Sequence, residues 1–258
     1  MAKKWAKFPY PDKAYVHDAA ALKKHWPRLH KGDCEPLPKD AAVLDAWAAF
    51  HAGDFARAVE AGTAAGGAGR NAAVKAQVVY GHYLEQSDKA RLALFEEAAG
   101  WAEERRAEAP KDPNAHYFHA FALGRYSQGI SVGKALAQGF GGKIKDALLT
   151  ALKLEPKHAE AHTAYGAYQA EVIDKVGGLV GGMTYGAKKD SAVEHYEKAM
   201  KLYPESPITR IEYANGLLML FGKGRIAEAT KLYEQAAAAK PADGMERLDV
   251  ELAKSELE

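Results

Sequence analysis

The sequence has a single cysteine, almost no net charge and no long apolar run. Cys34 has no second cysteine with which to pair, so the chain forms no internal disulfide and a cysteine-rich zinc site is excluded. The 35 basic and 34 acidic residues give a formal net charge of +1, so bulk electrostatics favours neither nucleic acid nor an anionic membrane as a partner. Because no run of about 18 apolar residues is present, we expect no membrane-spanning segment.

The start of the chain also lacks an apolar stretch. Met1 to Lys7 is basic, but the apolar core of a secretory signal does not follow it. We therefore expect a cytoplasmic protein, with a periplasmic protein whose leader has been removed as the alternative. Hydrophobic residues make up 48% of the chain and charged residues 27%, as in an ordinary soluble protein, and the Ala/Gly-rich composition is typical of bacterial proteins.

What the sequence does contain is a recurring helical phrase. Residues 151–156 read Ala-Leu-Lys-Leu-Glu-Pro, residues 199–204 read Ala-Met-Lys-Leu-Tyr-Pro, and a weaker copy ends at Pro241. A small residue, an apolar residue and then a helix-stopping proline are typical of the second helix of a helical hairpin, so their recurrence predicts an all-α stack of helix pairs. Small residues are expected at the close helix contacts, namely at Ala147, Ala151, Ala161, Gly166, Ala192, Ala199 and Ala229.

Residues 1–38 are predicted to form an N-terminal arm with one amphipathic helix. Asp12 is the expected N-cap of that helix, and Pro27 is expected to end it. One face of the helix carries four regularly spaced side chains, those of Tyr15, Ala19, Leu22 and Trp26. We assign residues 39–258 to a helical repeat domain that closes with a capping helix over residues 245–257.

From Asp40 to the C-terminus the sequence resembles the tetratricopeptide repeat (TPR) family. The order of a helix, then Gly53-Asp54, an aromatic residue and Ala58 is similar to the middle of such a repeat. The closing prolines, Pro110, Pro156, Pro204 and Pro241, are 46, 48 and 37 residues apart, which exceeds the regular period of about 34. The resemblance implies a right-handed superhelix of antiparallel helix pairs, with extra length inserted between the two helices of the central pairs.

Those insertions are rich in glycine. Twelve of the 24 glycines lie between residues 124 and 186, and the blocks 129–142 and 177–186 occupy equivalent places in consecutive repeats. With these insertions, the stretch from Asn114 to the C-terminus is similar to the regulator of microtubule dynamics group, which implies a fold of divergent repeats. The T-component of TRAP transporters, an irregular repeat fold with a central pore, is the second family that the sequence resembles.

Patterns typical of catalytic or metal-binding residues are weak. Gly129 to Ala135 is similar to a phosphate loop but lacks its first glycine, its final hydroxyl residue and a preceding strand. Two histidine pairs have spacings that suit metal binding, but no cysteine joins them and their positions suit turns and helix packing; they are His158 with His162 and His116 with His119. No nucleophile elbow or carboxylate pair is present. We therefore predict neither an enzyme nor a metal or cofactor site.

Polar and aromatic residues on the first helices of the central repeats are the candidate binding residues. They recur at intervals of three to four residues, so they share a helix face, and the family resemblance implies that this face lines the concave groove. The predicted groove residues are Asn114, Tyr117, Phe121, Arg125, Glu171, Lys175, Arg210, Tyr213 and Asn215. In this interpretation Arg210, Tyr213 and Asn215 occupy places similar to the first four residues, two repeats further along the sequence.

The sequence therefore predicts a non-catalytic scaffold that binds a peptide or a partner protein. Aromatic side chains would supply contact area, and Arg125 or Arg210 would pair with a carboxylate. The alternative is a transport-associated protein that binds a small ligand, in which the glycine-rich rims let helices close around an apolar pore. A metal-dependent enzyme is a more distant third possibility.

Overall fold

The computed structural model describes residues 5–258, which form fourteen α-helices and no strand. The helices are α1 (Ala19–Leu29), α2 (Ala41–His51), α3 (Phe55–Ala65), α4 (Gly69–Tyr83), α5 (Asp88–Glu108), α6 (Pro113–Gln128), α7 (Val132–Ala137), α8 (Phe140–Leu154), α9 (Ala159–Val176), α10 (Gly178–Val180), α11 (Lys189–Leu202), α12 (Pro207–Phe221), α13 (Ile226–Ala237) and α14 (Gly244–Ser255). Lys13–Tyr15 and Gly222–Arg225 are short 3-10 segments, and Gly181–Tyr185 is one π-helical turn. The predicted all-α fold is confirmed.

Local capping explains where many of the helices begin. A side-chain oxygen accepts a hydrogen bond from an amide of the first turn at Asp18, Asp40, Asp54, Ser87, Asp112 and Ser206. Pro113 and Pro207 stand at the first helical position, where a missing N–H costs no hydrogen bond. These signals are local, so the starts of these helices can be read from a few neighbouring residues.

The described residues fold as two compact units. The first unit comprises residues 5–30, 35–131 and 242–245, and the second comprises the remaining residues. This division differs from the predicted boundary between an arm and a repeat domain at residues 38 and 39, which stays a prediction.

In the first unit, α2 packs on α3, α4 packs on α3 and α5, and α6 packs on α5 and α4. The core contains the buried rings of Trp47, Phe50 and Phe118. Helices α3 and α4 approach closely because Gly62 and Gly69 face each other, and a Cβ on Gly62 would lie 2.6 Å from the Gly69 carbonyl oxygen. Any larger residue would therefore force these two backbones apart.

A buried series of polar groups holds the segment 242–245 in the first unit. The Nδ1 of His51 lies 2.7 Å from Oδ2 of Asp243, and its Nε2 lies 3.1 Å from Nε2 of His30. All three side chains are buried, so each relies on the others for hydrogen bonds that water would otherwise supply. Residues from three distant parts of the sequence are thus joined in one network.

In the second unit, α9 packs on α8, α11 and α12, and α12 packs on α13. The Tyr196 ring of α11 is fully buried, and it contacts the backbone positions of Gly166 on α9 and Gly216 on α12. The small residues predicted at helix contacts are all buried, as that prediction requires: Ala147, Ala151, Ala161, Gly166, Ala192, Ala199 and Ala229. The small size of Gly166 and Gly216 lets α9 and α12 approach the larger Tyr196.

Near the N-terminus the predicted boundaries of the first helix were wrong. Asp12 caps the short 3-10 segment that contains Tyr15, and the helix itself begins after Asp18. Pro27 lies inside α1, which continues to Leu29. A proline this close to the C-terminal end removes only one backbone hydrogen bond, and the His30 amide still donates to the Trp26 carbonyl.

Two features complete the description of the units. Gly69 begins α4. Helix α6 belongs to the first unit and α8 to the second. The predicted closing helix is present as α14, and its Leu248 is buried.

Candidate functional site

Three of the predicted groove residues form a stacked column on α6, which we name the α6 ladder (Tyr117, Phe121 and Arg125). Their spacing of four residues places them on one helix face. The Tyr117 and Phe121 rings are nearly parallel, at 5° with centroids 6.0 Å apart, and the Arg125 guanidinium carbon lies 5.7 Å from the Phe121 centroid. Tyr117 is buried, whereas Phe121 and Arg125 are half-buried, so the ladder runs from the core towards the surface.

Two arginines lie near the outer end of the ladder. Arg125 donates from Nη1 to the Gln128 side-chain oxygen at 3.1 Å. Desolvation, together with the charges of Arg125 and Arg91, holds the pKa of His82 well below its usual value. Neutral His82 therefore stands near two permanent cations, and the charge of Arg91 is partly balanced by Asp88, whose Oδ1 lies 3.5 Å from the Arg91 Nη1.

Asn114 was predicted to line the same face, but the structure places it in the core of the first unit. It is fully buried, and its Nδ2 donates to Oε2 of Glu35 at 2.6 Å. Asn71 also donates to the Glu35 carboxylate, and both Asn71 and Arg105 donate to Asp112. A buried carboxylate needs such donors, which is why this amide points inward.

On α9, the predicted residues Glu171 and Lys175 form an ion pair along the helix. The Lys175 ammonium lies 3.3 Å from Oε2 of Glu171, and the lysine is exposed. An i,i+4 pair of this kind stabilises a helix by only a few tenths of a kcal/mol, about 0.3–0.5 kcal/mol. The assignment of Glu171 and Lys175 to a groove stays a prediction.

On α12, the predicted residues have structural partners. Arg210 donates to the backbone carbonyls of Ser206 and Pro204, and Tyr213 stacks on Tyr196 with ring centroids 5.0 Å apart. The hydroxyl of Tyr233 donates to Oδ1 of Asn215 at 2.5 Å.

Arg210 and Arg125 differ in their place along the helix. Arg210 lies in the first turn of α12, close to its Ser206 cap, whereas Arg125 lies in the last turn of α6. Counted from the caps, Arg210 instead corresponds to His116 and His162.

These three residues share a role that the sequence analysis missed, and we name them the proline-carbonyl locks. Each stands six residues after a closing proline and donates a side-chain N–H to that proline's carbonyl. The pairs are His116 with Pro110 at 2.9 Å, His162 with Pro156 at 3.1 Å, and Arg210 with Pro204. Each lock satisfies a carbonyl at the end of one helix and ties it to the first turn of the next helix.

The locks account for two of the four histidines that had metal-like spacing. His158, the neighbour of His162, is buried and caps α9 by accepting from the Ala161 amide at 3.0 Å. His119, the neighbour of His116, accepts from Arg106 and lies 3.1 Å from the Glu103 carboxylate. Among residues 5–258, no group of three or more His, Cys, Asp or Glu side chains is arranged to hold a metal ion.

His162 is further linked to His195 on α11. Because Nε2–H of His162 donates to the Pro156 carbonyl, its Nδ1 accepts from Nδ1–H of His195 at 2.8 Å. Desolvation and the neighbouring His162 and Lys198 lower the pKa of His195 to about 4, and desolvation also lowers that of His162. Both rings are therefore neutral at physiological pH.

Helices long and apolar enough to cross a membrane do not occur in the part of the chain that the structure describes. A family model described as regulator of microtubule dynamics protein 1-3 matches residues 71–257, which is more than half of the sequence. The matched range includes the stretch from Asn114 onward that carried the narrower sequence resemblance. No curated protein matches the sequence.

Among solved structures, the fold is similar to the crystal structure of TTC0263, a thermophilic TPR protein in Thermus thermophilus. The TM-score is 0.59 and the identity 17%, and the alignment covers 83% of this protein and 97% of that one. At this identity the likeness shows the fold alone. It confirms the predicted TPR-like architecture.

Proposed function

The chain belongs to the family of regulator of microtubule dynamics protein 1-3, and on this premise we propose that it is a non-catalytic scaffold that binds a segment of a partner protein on the α6 face. From the family we take the helical-repeat scaffold and not the identity of the partner. TPR-like folds present helix faces to protein segments, and this protein places its aromatic and cationic side chains together on one such face.

The observation that carries this proposal is the α6 ladder. Binding energy in protein interfaces is concentrated in a few aromatic and arginine side chains that sit in well-packed surroundings. Tyr117 is fixed in the core and holds the Phe121 ring by stacking, and Phe121 in turn lies under Arg125. A partner would therefore meet an aromatic surface whose orientation is already set, so little conformational entropy is lost on binding.

The ladder also indicates the chemistry of the partner segment. Arg125 and Arg91 place two cations near its outer end, and after desolvation their charges are the next causes of the lowered pKa of His82. An apolar side chain would pack on Phe121, and a carboxylate beside it would pair with Arg125. We infer that the recognised segment carries an apolar residue close to an acidic residue or to a free C-terminal carboxylate.

The test compares three forms of the full-length protein in capture of proteins from lysate of the native host. They are the wild type, the double variant Phe121→Ala with Arg125→Ala, and the control Arg57→Ala, which removes an exposed arginine paired with Asp45 in the same unit. The wild type and the control should retain the partner that the double variant loses. Calorimetry with the captured partner should then show a loss of about 2 kcal/mol, or about thirtyfold in Kd.

Equal capture by all three proteins would refute the proposal, provided that the double variant unfolds at the same temperature as the wild type. Because Phe121 and Arg125 are only half-buried, their truncation should leave the fold in place. The control separates loss of one positive charge from loss of the ladder.

A further inference from the structure

The two glycine-rich insertions of the second unit lie against each other. A Cβ on Gly141 would fall 2.7 Å from the Tyr185 ring, and one on Gly186 would fall 3.4 Å from the Lys145 ammonium. Gly186 also has a φ of +70°, a conformation that glycine adopts without strain. Residues 132–145 and 177–188, both in the second unit, therefore contact each other, and we name them together the insertion surface.

The insertion surface projects large apolar side chains away from the protein. Leu179 is 78% exposed, Met183 is 82% exposed, and Val180 between them is 51% exposed. Val132 and Leu136 on the first insertion are also exposed. These side chains are therefore an exposed apolar cluster that their own unit leaves uncovered.

The charged side chains within the two segments all have one sign. Residues 132–145 contain Lys134, Lys143 and Lys145, residues 177–188 contain Lys188, and neither segment contains an acidic residue. With 34 acidic residues in 258, a stretch of this combined length would on average hold about three. The nearly neutral protein therefore has a local region that is both cationic and apolar, with the nearest acids in sequence, Asp146, Asp174 and Asp190, outside it.

We propose that the insertion surface docks peripherally on an anionic lipid bilayer. Leu179, Val180 and Met183 would enter the boundary between headgroups and acyl chains, while the lysines would remain at the level of the lipid phosphates. A planar, deformable interface can receive projecting side chains, whereas a folded protein partner would need pockets of matching shape. The inserting segment has about ten residues, which is too short to cross the bilayer, so the contact is one of the surface.

The first test measures sedimentation of the full-length protein with vesicles of defined lipid. Vesicles of phosphatidylcholine alone are compared with vesicles in which about one third of the lipid is phosphatidylserine, at low and high NaCl. We expect at least tenfold stronger partitioning onto the anionic vesicles, and a loss of that preference at high salt because exposed charges are screened.

The second test uses matched variants. Leu179→Ser with Met183→Ser should weaken binding to anionic vesicles at least tenfold, whereas Met219→Ser with Ile226→Ser, which removes exposed apolar side chains elsewhere in the same unit, should not. Lys143→Gln with Lys188→Gln should weaken binding by about thirtyfold, and Lys198→Gln with Lys201→Gln by much less. The variant of Phe121 and Arg125 should bind vesicles like the wild type, so this proposal and the proposed function fail separately.

Several results would overturn the proposal. Equal partitioning onto neutral and anionic vesicles, or unchanged binding by the Leu179 and Met183 variant, would show that this surface does not meet the membrane. Lipid-independent dimerisation that the same variant abolishes would assign the surface to a second copy of the protein. Capture of a protein that needs Leu179 and Met183, without any vesicle binding, would assign it to a protein partner. Because both side chains project from the fold, circular dichroism should show that their variant remains helical.

Discussion

Helices α6 and α12 carry similar residue types, an arginine and aromatic rings, but the structure uses them differently. On α6 the arginine lies in the last turn and stacks on Phe121 near the surface. On α12 Arg210 lies in the first turn and is bound to the carbonyls of the preceding loop, and Tyr213 is stacked on Tyr196 in the core. In these two helices the distance of the arginine from the helix cap, more than its chemical type, decides whether it is bound to the preceding loop or lies near the surface.

The sharpest way to test this contrast is to make the same substitution in both helices. Gly216→Ala in α12 should destabilise the protein by about 1–3 kcal/mol, because the new Cβ would lie 2.6 Å from the buried Tyr196 ring, which has no room to move. Gly124→Ala in α6 should stabilise by up to about 1 kcal/mol, because its Cβ would meet open space and alanine favours the helix. Urea unfolding monitored by circular dichroism measures both, and equal midpoints for the two variants would contradict the assigned packing.

Arginine truncation should separate the two helices by a smaller amount. Arg210→Ala leaves the Pro204 and Ser206 carbonyls without their donor and should cost about 1–2 kcal/mol of unfolding free energy. Arg125→Ala should change that free energy by less than about 0.5 kcal/mol, while it weakens partner binding. If Arg125→Ala proved the more destabilising of the two in thermal unfolding, the distinction between a lock and a ladder would be wrong.

The smallest expected effect is a dependence of protein stability on pH. Only the locks formed by histidine can show it, because the arginine of the third lock keeps its charge. His162 and His195 have lowered pKa values in the folded protein, so the unfolded protein binds more protons between about pH 6.5 and the folded value of about 4 for His195. Stability should therefore be complete above pH 6.5 and fall as the pH drops through that window. Protonation would also place two N–H groups face to face across 2.8 Å.

Melting temperatures recorded across that pH window provide the measurement. His195→Asn should flatten the pH profile because it removes one of the two titrating rings. Arg210→Ala, whose lock carries a permanent charge, should shift the whole curve without changing its slope. A wild-type melting temperature that rose on acidification would have the opposite sign to that required by the lowered pKa values.

Much of the fold could be predicted because its signals are local. Caps such as Asp40 and Asp112, and small residues such as Ala151 and Ala199, act within a few residues or at a regular helical interval. The α6 ladder was accessible for the same reason, because spacing by four residues is a property of one helix.

Residues that depend on distant partners were not predictable in this way. The partner of Asn114 is Glu35, which lies 79 residues away, and no periodicity connects them. The proline-carbonyl locks did have a signal, since His116, His162 and Arg210 each follow a closing proline by six residues. Arg247 follows Pro241 at the same interval. An alignment of the repeats on their closing prolines, rather than on their aromatic residues, would have revealed this six-residue interval.

The buried link between His51 and Asp243 bears on how this protein can be dissected. Because the backbone passes between the two units at five points, cutting it at residue 131 does not yield one complete half. A fragment that ends there lacks Asp243, so the buried imidazole of His51 loses its carboxylate partner. The remaining fragment lacks residues 31–34, and with them the Gly32 carbonyl that accepts from the Glu160 amide. Limited proteolysis and truncation libraries should accordingly find stable products only where residues 242–245 remain with the first unit and residues 31–34 with the second, and neither unit is complete until residue 245 has been synthesised.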